Sequence, residues 1–185
     1  GGSGNDTITG SSSSNTLIGG AGADKFMMRG ELSDTVYAGS ITFNADGTIN
    51  NASHIDTNTQ DTIDYSSYTN NAIINLTSGT AQVDLKIDTF YGIDNVIATS
   101  QADTITSGAG VNTIFAGDGS DTIFTGAGKD TIYGQDGDDY INMVSVSNSL
   151  SNFVDGGTGF DTVDYASLAE RIVVNMQGVT EVKVQ

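Results

Sequence analysis

An isoleucine recurs every nine residues in the middle of this 185-residue chain, and an acid or its amide stands two positions before each one. Glycine occupies most of the other recurring positions of the nine-residue frame. The frame approximates G-G-x-G-x-D-x-U-x, where U is a large apolar residue. A fixed nonapeptide period is typical of a parallel β-helix or β-roll, because each repeat adds one short unit to a stack. The isoleucines are Ile105, Ile114, Ile123, Ile132 and Ile141, and the residues two positions earlier are Asp103, Asn112, Asp121, Asp130 and Asp139.

The same frame occurs towards both ends of the chain. Residues 1–9, 10–18 and 19–27 form three units, of which the second is degraded, and another copy spans residues 156–164. Residues 29–37 fit a degraded unit that is displaced by one residue. About half of the chain is therefore made of recognisable or degraded nonapeptides.

Each unit divides into a tight turn and a short strand. The first six residues must turn sharply, and glycine reaches the positive-φ conformations that such a turn needs. The last three residues, such as residues 122–124, are β-branched or aromatic and suit a strand in which the middle side chain faces one way and its neighbours face the other. We therefore expect Ile123 and its equivalents to point into the stack.

The repeat block resembles the repeats-in-toxin (RTX) family of secreted bacterial proteins, whose hemolysin-type nonapeptides bind calcium. The resemblance is specific because glycine, acid and aliphatic residue hold register over five successive units. It implies an all-β chain in which parallel β-roll blocks, which are calcium-bound β-solenoids, alternate with β-rich spacer segments. It also implies that every second turn stacks on the same side, with Asp103, Asp121 and Asp139 in one column and Asn112 and Asp130 in the other.

The resemblance makes Ca²⁺, in several copies, the expected cofactor. Calcium takes six to eight oxygen ligands, so a turn that offers backbone carbonyls and one carboxylate needs a second turn to complete each site. We expect ions between successive turns of one column, for example between residues 116–121 and 134–139. The expected metal-binding residues are Asp6, Gly19, Gly20, Gly22, Asp24, Asp103, Gly108, Gly110, Asn112, Gly117, Asp118, Gly119, Asp121, Gly126, Gly128, Asp130, Gly134, Asp136, Gly137, Asp139, Gly156, Gly157, Gly159 and Asp161.

Some turns depart from the pattern. Asn15 and Asn112 replace the carboxylate with a neutral amide, Gln135 replaces the second glycine of its turn, and residues 98–101 contain no glycine. Sites that use these residues should bind calcium more weakly or not at all, and the site between Asp121 and Asp139 should be the best supplied. Stacked acidic turns repel one another unless a cation lies between them, so we expect the metal-free repeat block to be largely disordered.

The composition limits the possible partners. Six Lys and Arg residues oppose 23 Asp and Glu residues, which gives a net charge of −17 and argues against nucleic acid and anionic membranes and for cations. There is no cysteine, so neither disulfides nor thiolate metal sites can hold the fold. No apolar stretch is long enough for a transmembrane helix, and we expect no insertion into a membrane.

The non-repeat segments show a second, longer periodicity. The sequence D-T-I-D-Y at residues 61–65 returns as D-T-V-D-Y at residues 161–165. Residues 41–50 predict a β-hairpin around N-A-D-G. We divide the chain into residues 1–37, partly degraded N-terminal repeats; 38–97, a β-rich spacer with the hairpin and the D-T-x-D-Y segment; 98–142, the main β-roll block; 143–164, an insertion and a further repeat; and 165–185, the start of a truncated second spacer.

Catalytic motifs are missing from the sequence. His54 is the single histidine, so an H-E-x-x-H zinc motif is impossible, and no G-x-S-x-G nucleophile motif occurs. We expect that the chain is not an enzyme.

The functional expectation is a calcium-binding structural module of a large secreted cell-surface protein, either a surface-layer component or an adhesin, that folds on extracellular Ca²⁺. Neighbouring copies of itself in a surface array, or carbohydrate, are the expected further partners. One alternative is an accessory or secretion domain of a type I-secreted protease, lipase or alginate epimerase. Another is the receptor-binding repeat region of an RTX toxin.

Overall fold

The computed structural model describes residues 1–55, 60–143 and 152–166, and every regular element within these ranges is a β-strand. Side chains are described for the same residues except 51–55. In chain order the strands are β1 (Gly2–Ser3), β2 (Thr7–Thr9), β3 (Thr16–Ile18), β4 (Gly20–Ala21), β5 (Lys25–Met27), β6 (Thr35–Tyr37), β7 (Ser40–Phe43), β8 (Ile49–Ile55), β9 (Thr62–Asp64), β10 (Ala72–Asn75), β11 (Thr80–Val83), β12 (Lys86–Tyr91), β13 (Asn95–Ile97), β14 (Thr104–Thr106), β15 (Thr113–Asp118), β16 (Thr122–Thr125), β17 (Thr131–Asp136), β18 (Tyr140–Met143), β19 (Phe153–Thr158) and β20 (Thr162–Asp164).

Two sheets form the body of the fold, and the chain passes between them as it winds. The seven-stranded sheet is parallel throughout, in the order β19-β17-β15-β13-β9-β5-β2. The nine-stranded sheet has the order β20-β18-β16-β14-β10-β11-β12-β6-β3. Successive repeats fall in alternate sheets, which is the winding of a parallel β-roll. The predicted all-β, parallel β-roll architecture is therefore confirmed.

The isoleucine ladder lies inside this roll. Ile123 pairs in register with Ile105 on one side and Ile141 on the other, and Ile114 pairs with Ile132 in the opposite sheet. All five side chains are fully buried in a core to which both sheets contribute. Burial of each one contributes about 1.5 to 3 kcal/mol. The expectation that Ile123 points into the stack is confirmed.

An antiparallel excursion interrupts the nine-stranded sheet. Strands β10, β11 and β12 form a meander that enters the sheet next to β14 and leaves it next to β6. We call residues 72–91 the meander. Larger side chains fill the core at this level, among them the fully buried Tyr65 and Ile74 and the 2 % exposed Phe90. The segment between the two repeat blocks thus adds strands to the same two sheets.

The predicted hairpin is present as β7 and β8, which pair antiparallel beside the roll. Its turn has Gly47 at a φ of +83°, and Gly47 donates its N–H to the carbonyl of Asn44.

The one-residue displacement expected before β6 is also confirmed. Thr16 and Thr35, which lie opposite each other, are one residue further apart in sequence than Thr104 and Thr122, which are the equivalent pair in the main block.

Three sequence expectations fall outside the described residues in whole or in large part. They are the insertion that begins at residue 143, the second spacer from residue 165 onwards, and the side chain of His54. Within the described ranges, no helix is long and apolar enough to cross a membrane.

Candidate metal sites

A ladder of hydrogen bonds links the acids of each column. The backbone N–H of Asp103 donates to Oδ1 of Asp121 at 2.7 Å, and the N–H of Asp121 donates to Oδ1 of Asp139 at 2.8 Å. In the other column, the N–H of Asn112 donates to Oδ1 of Asp130 at 3.1 Å. Each carboxylate is thereby held against the turn before it, and the predicted assignment of these five residues to two columns is confirmed.

The columns extend beyond the regular repeats, and we call their members the ladder residues. The N–H of Asn15 donates to Asp34, that of Asp34 to Asp88, and that of Asp139 to Asp161. On the opposite side, the bonds run from Asp6 to Asp24, from Asp24 to Asp61, from Asp61 to Asp94 and from Asp130 to Asn152.

Several of these ladder residues are missing from the sequence-based site. They are Asp34, Asp61, Asp88, Asp94 and Asn152. A local signal marks the first three, since each is an acid followed by threonine and then by a buried apolar residue. Counting nine residues back from Asp103 reaches Asp94, but it does not reach the other four, because the segments that precede them have irregular lengths.

The second oxygen of most ladder carboxylates is buried and has no hydrogen-bond partner. A polar atom that loses water on folding is costly unless something replaces that water. Both columns show this pattern, so it is a property of the turn and not of one residue. The unpartnered oxygens are Oδ2 of Asp6, Asp24, Asp34, Asp121, Asp130 and Asp139 and Oδ1 of Asn112.

The glycines at the start of the turns keep space open beside these oxygens. A Cβ added at Gly134 would collide with Oδ2 of Asp139 in the same turn and with the carbonyl of Gly156 in the next turn of the column. A Cβ at Gly19 would likewise collide with Oδ2 of Asp24 and with the carbonyl of Ala38. Two successive turns therefore direct oxygens into one space, as a shared cation site requires.

The donor set suits calcium. Among the described residues, no three His, Cys, Asp or Glu side chains converge on a common point. A cation between two turns would therefore take one or two carboxylate oxygens and complete its shell with backbone carbonyls. Calcium accepts such a shell at flexible geometry, whereas magnesium demands a smaller octahedron and retains water.

Burial disfavours the ionised form of the ladder carboxylates that have an unpartnered oxygen. It raises the pKa of Asp121 to about 7, and the charges of Asp103, Asp139 and Asp118 contribute to the rise. Burial also raises the pKa of Asp130 and of Asp139 to about 6. A cation in the column would favour the ionised form of each group, so metal binding must release protons.

The degraded turns supply their own donors. Both the N–H and the hydroxyl of Thr99 donate to Oδ2 of Asp103, at 2.7 and 3.0 Å, so this carboxylate has no unpartnered oxygen. In the N-terminal turn, the N–H of Ser11 donates to Oδ1 of Asn15 at 2.7 Å. The weak calcium binding predicted for these turns thus has a physical reason, since protein donors occupy the oxygens that a cation would need.

The remaining predicted ligands belong to the first six residues of the nonapeptide units, into which β15, β17 and β19 extend. Asp118 and Asp136 have exposed carboxylates outside the columns, and that of Asp136 accepts a hydrogen bond from the hydroxyl of Thr158. Gly126 donates its N–H to the hydroxyl of Ser107, Gly156 lies against Oδ2 of Asp161, and Gly108 has open space beside it apart from Leu76. Nine of the glycines predicted as ligands have φ between +96° and +137°, namely Gly20, Gly22, Gly110, Gly117, Gly119, Gly128, Gly137, Gly157 and Gly159.

Comparison with known proteins agrees with this geometry. The family model of the RTX calcium-binding nonapeptide repeat (4 copies) matches residues 1–27, 88–123 and 115–142. No curated protein matches the chain. Proteins with these repeats are typically secreted by bacteria. The matched residues contain the best-formed turns and both columns of acids, and over these residues the chain carries RTX calcium-binding nonapeptide repeats.

Proposed function

We propose that this chain is a calcium-dependent structural module of a large secreted cell-surface protein, a surface-layer component or an adhesin, and that it folds when it meets extracellular Ca²⁺. The observation that carries the proposal is the row of buried, unpartnered oxygens in both columns. Extracellular calcium modules typically bind at about 10⁻⁴ to 10⁻³ M, so the turns would be empty in a cytosol and filled outside the cell.

The proposed role is mechanical and not catalytic. The described part of the chain is a stack of turns in which each turn contacts its neighbours and adds length, as in other solenoids. The sequence offers no metalloprotease or nucleophile motif, which supports a non-enzymatic role. The recurrence of D-T-x-D-Y at an offset of 100 residues supports a modular array.

Circular dichroism in the presence and absence of EDTA tests the calcium dependence. We expect the β signal to fall when calcium is chelated and to return when Ca²⁺ is added. Mg²⁺ at the same concentration should restore little of the signal, because it fits a carbonyl-rich site poorly. A β signal that does not change when EDTA is added would contradict the proposal.

Light scattering and electron microscopy test the surface-array role separately. Purified chain that assembles into ordered sheets or filaments on addition of Ca²⁺, but not of Mg²⁺, supports the array. A folded but strictly monomeric calcium-loaded chain would instead favour an accessory domain of a secreted enzyme.

A further inference from the structure

A buried lysine lies at the start of β12, which is an interior strand of the nine-stranded sheet. Lys86 is 5 % exposed, and its Nζ lies 2.9 Å from Oδ2 of Asp88 and 2.6 Å from the hydroxyl of Tyr68. The same Oδ2 accepts a 2.9 Å hydrogen bond from the hydroxyl of Tyr65. Both Asp88 and Tyr65 are fully buried, so this group of polar atoms is satisfied without water.

Asp88 is a ladder residue in the same register as the calcium-type acids. Its Oδ1 accepts the N–H of Asp34 at 2.8 Å, as Asp121 accepts the N–H of Asp103. The following residue, Thr89, donates its N–H to the carbonyl of Asp34. Asp88 differs from Asp34 and Asp121 in one respect, because its second oxygen is partnered by an ammonium group whereas theirs are unpartnered.

No carbonyl-lined turn exists at this level of the column. Residues Lys86 to Tyr91 form one continuous strand, in which Lys86 pairs with Val83 and Asp88 pairs with Ala81. An antiparallel pair commits the backbone carbonyls to sheet hydrogen bonds. A calcium ion would therefore find a carboxylate here but not the six to eight oxygens that it requires.

We propose that the ammonium group of Lys86 is the internal counter-ion of Asp88, in the place where other ladder acids would bind calcium. The middle of the roll, residues 62–106, therefore folds without calcium. The nonapeptide turns on both sides assemble on this part of the roll. This inference rests on the proposed function, because it divides the roll into calcium-independent and calcium-dependent parts.

Three further observations support the division. Lys86 remains charged, because burial lowers its pKa but the hydrogen bonds to Tyr68 and Asp88 outweigh burial and raise it overall. The Tyr68 ring lies 4.7 Å from Nζ, a distance at which an aromatic ring stabilises a cation. On the other side of the meander, Thr99 satisfies Asp103 without a metal.

Hydrogen exchange read by mass spectrometry, in Ca²⁺ and in EDTA, tests the inference on the whole chain. In EDTA, amide protection should persist in β9 to β14 and should be lost in β15 to β18 and in β2 to β5. Loss of protection along the whole chain in EDTA overturns the inference but leaves the proposed function intact. Protection that EDTA leaves unchanged everywhere overturns the proposed function as well.

Two single variants test the lysine itself. Lys86→Met keeps the aliphatic stem but leaves the buried Asp88 carboxylate without a counter-ion, so exchange in the meander in EDTA should accelerate about a hundredfold. Lys25→Met is the matched control. Lys25 also pairs with a buried acid, Asp64, at 2.7 Å, but its side chain is 39 % exposed, so water can replace the ammonium and exchange in the meander should stay as in the parent chain. Unchanged protection of the meander in Lys86→Met overturns the inference.

A double variant separates charge from packing and remains informative if Lys86→Met does not fold. Lys86→Met with Asp88→Asn removes both charges and keeps an acceptor for the N–H of Asp34. Recovery of protection in EDTA supports the counter-ion role. Protection as low as in the single variant would mean that Lys86 acts through its shape, and the inference would be wrong.

Discussion

Asp103 and Asp121, eighteen residues apart in sequence, are joined by a 2.7 Å hydrogen bond from the backbone N–H of the first to Oδ1 of the second. Asp121 in turn donates its own N–H to Asp139. One carboxylate thus fixes the turn before it, while its second oxygen remains available to a cation. The same side chain positions the turn and leaves one buried oxygen without a hydrogen-bond partner.

Replacement of Asp121 by alanine should therefore affect two levels of the column. We expect Asp121→Ala to reduce the number of bound Ca²⁺ ions by two and to destabilise the calcium-loaded chain by about 2 kcal/mol through the lost charged hydrogen bond alone. Isothermal titration calorimetry measures the first effect and thermal unfolding the second. Asp6→Ala, in the first turn of the other column, is the comparison and should reduce the number of bound ions by one. Equal stoichiometry in the two variants would contradict the shared-turn arrangement.

The backbone at Gln135 predicts a stabilising substitution. Gln135 has a φ of +82° at a position where Gly117, in the preceding turn of the column, has +113°. Gln135→Gly should relieve strain and raise the unfolding free energy in Ca²⁺ by about 0.5 to 1 kcal/mol, once the greater freedom of glycine in the unfolded chain is subtracted.

The reverse substitution at Gly117 provides the comparison. A Cβ there would collide with the carbonyl of Thr99, so Gly117→Gln should cost about 2 kcal/mol or more. Denaturant unfolding of the calcium-loaded variants measures both effects. Equal and opposite changes of a few tenths of a kcal/mol would show that turn geometry matters little.

The raised pKa values predict an unusual pH dependence in EDTA. In the metal-free roll, the pKa of Asp121 is about 7 and those of Asp130 and Asp139 are about 6, whereas an unfolded chain would have the ordinary value of 3.8. The folded state therefore holds protons that the unfolded state releases, and its stability is greatest below pH 4 and falls as the pH rises through 6 to 7. The β signal in EDTA should accordingly be larger at pH 5 than at pH 7.5.

Saturating Ca²⁺ should reverse that trend. Calcium competes with protons for the same carboxylates, so its affinity should rise between pH 5 and pH 7.5. Thermal unfolding at both pH values, with and without calcium, gives the four measurements needed. The interpretation fails if stability in EDTA also rises with pH over this interval.

The interior of the ladder should be sensitive to side-chain volume. Ile123 is fully buried between Ile105 and Ile141, so Ile123→Ala should destabilise the calcium-loaded chain by about 2 to 5 kcal/mol. Phe124→Ala, at the next position and only partly buried, should cost less despite the larger deletion. Denaturant unfolding in excess Ca²⁺ ranks the two, and a larger effect at Phe124 would contradict the inward orientation of Ile123.

The regular part of the fold follows from the sequence because each nonapeptide contains the residues that form its own turn, strand and core contact. Glycines define the turn, the acid binds the neighbouring turn and the isoleucine fills the core, so Asp121 and Ile123 could be placed by counting. Asn15 could be recognised as a departure from the pattern, and its contact with Ser11 shows how such a turn is satisfied.

The meander could not be predicted in the same way. Asp34 and Asp88 are adjacent ladder residues although they are separated by 54 positions, three times the 18 positions that separate Asp103 from Asp121. Their adjacency depends on the parallel pairing of β12 with β6, which is non-local. Lys86 carries no signature in the sequence, because only its burial beside Asp88 distinguishes it from a surface lysine.

The ladder bonds described above all point the same way along the chain, from the N–H of one ladder residue to the carboxylate or amide of the next in its column. The column therefore has a direction along the chain. Loss of the Asp121 carboxylate would release the N–H of Asp103 but would keep the bond from Asp121 to Asp139, so damage at one carboxylate acts on the N-terminal side of the column.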